Sequence, residues 1–195
     1  DYLHESFGFP AYTQLPCEEY VEPKDGGVFI RNNFYKNPDS YKIKFAAYSA
    51  VSDIFINGIY WDPRAPAFFT KEEMQTDNFK IKVIADVTCD IAPEASVPST
   101  LRPSTIADPI YGYDPKTGKE CAPFSENSID IMAVDNLPNE LPKDASESFG
   151  EQFIEYVLPN LLKGYDNDMI EKSSIAVDGN LGPHFEYLRD YIKSK

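Results

Sequence analysis

Among its 195 residues the chain has two histidines, three cysteines, three methionines and one tryptophan, and these scarcities exclude several kinds of site. Cys17, Cys89 and Cys121 lack the close pairing that structural zinc sites use, and an odd count argues against a disulfide framework. A reducing, cytoplasmic setting is expected, with no metal. His4 and His184 sit in helical patterns beside charged or aromatic neighbours and read as surface residues. Basic residues are also short: 18 against 32 acidic ones give a formal charge of -14, which disfavours nucleic acid or an anionic membrane as partner. No apolar run approaches a membrane span and no secretory signal is visible. The chain opens Asp1-Tyr2-Leu3 without methionine, so an upstream portion, and any signal it carried, is expected.

What is present is an alternation of short apolar runs with helical patterns. Lys80 to Asp90, KIKVIADVTCD, reads as a buried strand that ends in Thr88, Cys89 and Asp90. Ligands of open α/β sheets collect beyond the carboxyl ends of such strands, which makes Asp90 the first candidate functional residue. Asp86 lies four positions earlier, roughly 13 Å away along an extended strand. The two form no catalytic pair unless the strand breaks between them, and Asp86 reads as an acceptor of backbone or hydroxyl hydrogen bonds. Asp53 to Tyr60 and Ile129 to Val134 are further strands, with a short candidate at Ala11 to Leu15. A helix is expected from Asn37, with Tyr41, Phe45, Tyr48 and Val51 on one side, and Thr70 with Glu73 forms a capping box. The alternation predicts an α/β fold with a mainly parallel sheet.

Other stretches differ in character. Ile91 to Phe124 is proline-rich and long for a connection, so an ordered, site-covering role is expected. From Pro142 the pattern is helical: Phe149, Phe153, Val157 and Leu161, with Ile154, Leu158 and Leu162 one step round, make a wide apolar face that stops at Gly164. Pro159 should kink this helix. Pro183 to Ile192 reads as another helix, and Asp1 to Phe7 as the end of one closed by Gly8 and Pro10. The apolar face from Phe149 onward predicts a homo-oligomer. Arg64 and Arg102, both in loops, have the fork geometry to hold substrate carboxylates, although loop arginines are commonly just solvated. Glu151 and Glu155 read as a solvated like-charge pair.

Three ordered blocks resemble one family. INGIYWDPRAP at 56–66, ADVTCDI at 85–91 and MAVDNLPNELPKDASESFG at 132–150 are similar to the lysine-forming saccharopine dehydrogenases and lysine 2-oxoglutarate reductases, with a weaker echo in GNLGPHFEYLRDYI at 179–192. That family falls within the wider group containing alanine dehydrogenase and pyridine-nucleotide transhydrogenase. The resemblance implies an NAD- or NADP-dependent oxidoreductase of lysine metabolism, in which a Rossmann-like domain is inserted into a discontinuous catalytic domain. On it, residues 1–138 are a partial, doubly wound nucleotide-binding domain lacking its first strand and glycine-rich turn. Residues 139–195 are the carboxyl-terminal helices of the catalytic domain. No GxGxxG occurs, although its glycines are what bring a backbone close to a pyrophosphate. LPCEE offers Pro16 or Cys17, with Glu18 one step on, where the family's ribose-binding acid falls, which leaves NAD versus NADP open.

The resemblance also assigns roles. Asp90 aligns with an aspartate beside substrate and nicotinamide, where a carboxylate orients an amine or steadies an iminium charge. The plainer alternative is a cap on the turn after a strand. Asp135, Asn136, Leu137 and Pro138 correspond to a turn that packs on the nicotinamide ribose, with an ordinary Asx turn as the alternative. Ile59 and Tyr60 would lie along the cofactor, or else form a core pair. The implied reaction interconverts saccharopine with lysine and 2-oxoglutarate, and its lysine and histidine acid/base pair belongs to a part of the family's sequence that this chain lacks. The chain alone is therefore expected to be inactive. A related amino-acid or imino-acid dehydrogenase, and a non-catalytic nucleotide-binding or interaction module, remain as other readings.

Overall fold

The computed structural model describes residues 5, 7–164 and 167–193, and the chain divides into two compact units, Asp1–Leu137 and Pro138–Lys195. The helix end read over 1–7 lies largely outside the described residues, as does His4.

In the first unit a short helix α1 (Cys17–Tyr20) leads into β1 (Val21–Pro23), and α2 (Arg31–Lys36) precedes β2 (Tyr41–Ile43). β1 and β2 pair antiparallel, Val21 opposite Ile43 and Pro23 opposite Tyr41. The helix expected from Asn37 is thus corrected: a 3-10 turn at Pro38–Ser40 gives way to β2, and helix returns only in α3 (Ala46–Ser49). Tyr41 and Phe45 are buried as their spacing required, but a partner strand competes for the β-prone Tyr41 and Ile43 and wins over helical periodicity. Val51 ends up exposed. Ala11 to Leu15 forms no strand, and residues 11–14 are exposed.

The central sheet has five strands: β3 (Ile54–Asn57), β4 (Val83–Asp86), β5 (Tyr111–Asp114), β6 (Lys119–Cys121) and β7 (Ile129–Ala133), in the order β3-β4-β7-β5-β6. β3, β4 and β7 run parallel, and the β5–β6 hairpin adds antiparallel strands beside β7. The fold is α/β, as the alternation of runs predicts. The proline-rich excursion supplies the hairpin, and the Cβ-less Gly112 lets Ala122 cross it: an added Cβ would lie 2.4 Å from the Ala122 carbonyl oxygen.

Register sorts the strands into two faces. Phe55, Ile84 and Ile131 lie side by side on one, followed by Asn57, Asp86 and Ala133. Both crossovers cover this face. Phe68 and Phe69 from the first set their rings 5.0 and 6.0 Å from Phe55, and Phe45 lies 5.2 Å from Phe68. Ile84, Ile131 and Val97 are wholly buried there. The first crossover also holds the capping box: the Thr70 N–H donates to Glu73 Oε2 at 2.7 Å and the Glu73 N–H to Thr70 Oγ1 at 3.1 Å, opening a 3-10 turn at Glu73–Gln75.

The second unit begins with a 3-10 turn at Leu137–Asn139 shared across the boundary, then α4 (Pro142–Gln152) and α5 (Leu158–Leu162). A single π turn, Phe153–Val157, joins the two helices, so Pro159 stands in the first turn of α5, where its missing N–H breaks no ladder bond. The expected kink is a change of helical register. Further on come α6 (Asp168–Ser173), the small β8–β9 pair (Ala176–Val177 and Asn180–Leu181) and α7 (Arg189–Lys193). The helix read from Pro183 is shorter than its pattern, a 3-10 turn at Glu186–Leu188 running into α7.

Candidate functional site at the carboxyl ends of the parallel strands

β4 stops at Asp86, earlier than the apolar run suggests, and the chain turns through Cys89, whose φ of +53° lies in the left-handed region. The strand therefore breaks between Asp86 and Asp90, which is the condition under which the two carboxylates can act on one another. Asp86 is fully buried. Its Oδ1 accepts from Asn57 Nδ2 at 2.8 Å and from the Cys89 N–H at 3.1 Å, and its Oδ2 accepts from the Thr100 hydroxyl at 2.6 Å. Asn57 also donates to Ser96 Oγ at 2.8 Å, while its Oδ1 is buried with no partner among the described residues. These are the backbone and hydroxyl bonds expected of a structural Asp86. They tie the ends of β3 and β4 to the buried stretch Ala95–Val97 and Ser99–Thr100 of the excursion.

A second clamp joins the two turns. Thr88 Oγ1 accepts from the Ile59 N–H at 2.9 Å and donates to the Ile59 carbonyl at 2.7 Å, so one hydroxyl satisfies both backbone groups of Ile59. Nothing in the periodicity of KIKVIADVTCD marks Thr88, Asn57 or Thr100. The available signal is the chemistry of Thr88 and Asn57 at the polar ends of two neighbouring apolar runs.

Asp90 is half-buried on this rim, and burial first, the Asp86 charge second, push its carboxyl above the usual aspartate range. The Cys89 thiol is pushed up to about 11 by burial and then by Asp86, Asp135 and Asp90, which keeps it a neutral thiol at neutral pH. The charges of Asp86, Asp90 and Asp135 thus meet around one turn. Ile59 is half-buried against the core and Tyr60 is 97% exposed beside it, so the two do not form a buried pair. Asp135, Asn136, Leu137 and Pro138 are all exposed after β7, whose following residue Val134 hydrogen-bonds to the Asp86 carbonyl at 2.9 Å.

The two arginines share no hydrogen-bond partner with this cluster and are already engaged. Arg64 Nε and Nη2 grip Asp62 at 3.0 and 2.7 Å, beside a surface cleft of about 330 Å³ lined by Lys24, Asp39, Tyr41 and Lys42. Arg102 forks onto Glu120 at 2.9 and 2.8 Å, reaches Asp108 at 2.7 Å and stacks 4.6 Å above the Tyr111 ring. His184 is exposed. Among the described residues no group of three or more His, Cys, Asp or Glu is arranged to hold a metal, and no helix is long and apolar enough to cross a membrane.

The exposed Asp135, Asn136 and Tyr60 offer hydrogen-bonding groups and an aromatic ring, chemistry of the kind that a nicotinamide and its ribose take, whereas the unpartnered Asn57 Oδ1 is buried out of reach. The chain carries no glycine-rich turn for the pyrophosphate.

No protein-family model matches the chain. It is 27% identical over 188 residues to an α-aminoadipic semialdehyde synthase of Arabidopsis thaliana, covering 92% of this chain and 18% of that protein. It is 33% identical over 120 residues to a lysine-forming, NAD(+) saccharopine dehydrogenase of Schizosaccharomyces pombe, covering 60% of this chain and 29% of that protein. A mitochondrial α-aminoadipic semialdehyde synthase of Rattus norvegicus is 24% identical over 238 residues, covering 94% of this chain and 25% of that protein. The chain therefore spans less than a third of the length of these relatives, and the resemblance carried by its three blocks holds.

Proposed function

The chain is homologous to lysine-forming saccharopine dehydrogenases and α-aminoadipic semialdehyde synthases, and from that premise we propose that it is part of a nicotinamide-dependent oxidoreductase interconverting saccharopine with lysine and 2-oxoglutarate. One observation carries the reading: Asp90, Asp135 and the Ile59–Thr88 clamp converge beyond the carboxyl ends of three parallel strands, where open α/β sheets take their ligands. Residues 1–138 are on this reading the nucleotide-binding part and residues 139–195 the helices of a catalytic domain. When bound, NAD or NADP supplies the hydride chemistry.

The residues present do the holding and the electrostatics. Ile59 and Tyr60 would lie along the nicotinamide, Asp135 and Asn136 would accept from ribose hydroxyls, and Leu137 and Pro138 would pack against the ribose. Ionised, Asp90 attracts the positive charge that develops on the secondary amine of saccharopine as hydride leaves the adjoining carbon. Its raised pKa also lets it hold a proton nearer neutrality than an ordinary aspartate. Arg64 and Arg102 bind a substrate carboxylate only by exchanging it for Asp62 or Glu120. Amino-acid and 2-oxo-acid substrates are the small-molecule partners, and the apolar face around Phe149 pairs copies of the chain. The three free cysteines suit a reducing compartment, the cytoplasm on this reading.

The test is a steady-state assay of the full-length polypeptide. Oxidation of reduced nicotinamide that needs both lysine and 2-oxoglutarate is the expected result. Turnover instead with pyruvate and ammonia would move the substrate within the same chemistry. Silence in both mixtures would leave a non-catalytic nucleotide-binding module. The 195-residue chain alone is expected to be inactive.

A further inference from the structure

The turn that follows β4 carries two aspartates with divided tasks. An aspartate that caps a turn accepts from an amide of that turn, and Asp86 does so, from the Cys89 N–H at 3.1 Å. Asp90 caps nothing. Its carboxylate makes no hydrogen bond or ion pair among the described residues, although the residue is half-buried. A carboxylate drawn partly out of water without a partner of its own is unfavourable, so something else must keep it there. Here the backbone does.

Both flanks of Asp90 are anchored. On one side Cys89 has a φ of +53°, a conformation that side chains rarely adopt, and its N–H is held by Asp86 Oδ1. On the other side the Ala92 N–H donates to the Thr100 carbonyl at 2.9 Å. The Thr100 hydroxyl in turn donates to Asp86 Oδ2 at 2.6 Å, so the two anchors end on one carboxylate. The chain leaves Asp86, passes Asp90 and returns through Thr100 as a closed ring of bonds. Tyr111 of β5 fixes the returning end: its phenol accepts from the Leu101 N–H at 2.9 Å and donates to the Ser99 carbonyl at 3.1 Å, gripping both neighbours of Thr100.

We propose that Asp86 and Thr100 are positioning residues for Asp90, their mutual hydrogen bond closing the turn that presents the free Asp90 carboxylate on the rim. The kinetic part of this inference rests on the role proposed for Asp90 in the reaction, and the rest does not. Burial and then the Asp86 charge raise the Asp90 carboxyl, and the other titratable groups at this turn are Cys89 on it and Asp135 after β7. The Asp90 carboxyl titration is followed by carbon-13 NMR in the 195-residue chain, and kcat and KM are measured in the full-length polypeptide. Asp86→Asn keeps both bonds at Oδ1 and reverses the third, its amide donating to Thr100 Oγ1, so charge is removed with the ring intact; the Asp90 midpoint should fall. Thr100→Val opens the ring to water and should lower the midpoint too, while Thr100→Ser should leave it in place. In the full-length polypeptide Thr100→Val should lower kcat about 10-fold with KM nearly unchanged, Thr100→Ser should restore it, and the loss should disappear when Asp90 is already Asn. An Asp90 midpoint unmoved by Asp86→Asn overturns the proposal, whether or not Thr100→Val folds. So does an equal loss from Thr100→Val with and without Asp90. Midpoints that move as expected beside an unchanged kcat in Asp90→Asn would uphold the positioning and overturn the part given to Asp90 in the reaction.

Discussion

The two compact units treat their apolar residues in opposite ways. In the sheet unit Ile84, Ile131 and Tyr113 have no exposure at all, whereas in the helical unit Ile170 is the one buried apolar side chain among the described residues. Phe149, Ile154 and Leu162 stand 71%, 64% and 79% exposed on α4, the π turn and α5. Ile84 and Ile131 came from short apolar runs and the helical set from a periodic face, while Tyr113 lies in the proline-rich excursion, which carried no such pattern. A pattern identifies the face that needs a partner, and the partner itself must be supplied by the fold or by another chain.

This contrast can be broken by substitution. Ile84→Ala should lower the stability of the 195-residue chain by about 3 kcal/mol, while Phe149→Ala should change it by less than about 0.5 kcal/mol, both read from urea midpoints. Equal losses would mean that the helical face is as well packed as the sheet. Asp86→Ala should cost roughly 2 kcal/mol, because Asn57, Thr100 and the Cys89 N–H lose their shared acceptor in the interior. Arg102→Met should cost about 1 kcal/mol, since its ion pairs are partly exposed, and salt should shrink the difference.

The smallest effect is the most informative about the rim. Burial, and then Asp86, raise the Asp90 carboxyl above its ordinary value. A group raised in this way contributes stability that is complete below its ordinary pKa and is lost as pH rises through its folded value. Asp90→Asn should therefore raise the melting temperature slightly at neutral pH, and the gain should vanish as pH falls below the ordinary aspartate range. A gain that is independent of pH would sink this electrostatic account.

Much of the scaffold was legible in the sequence. β3, β4 and β7 fall inside the three runs read as strands, because β-branched runs between polar ends have few other ways to be buried. Asp53 to Tyr60 and Lys80 to Asp90 overran their strands, since the turns at Gly58–Tyr60 and Val87–Asp90 depend on the Thr88 hydroxyl bonding to Ile59, 29 positions away, and on Asp86 accepting from the Cys89 N–H three positions on. Tyr41 misled for a related reason: its partner Pro23 is distant in sequence, and local spacing is blind to it. Asp90 and Asp135 could be named from their places after strands. The polar set Asn57, Ser96 and Thr100 that holds the rim together could not, because its members are joined only by the crossover.

The central claim, that this rim carries half of a nicotinamide-dependent site, is tested most directly by Asp90→Asn in the full-length polypeptide, with kcat and cofactor Kd measured together. The account predicts a fall in kcat of about 100-fold, the scale of a lost electrostatic or proton-handling group, with cofactor affinity nearly unchanged. Unaltered kcat would contradict it.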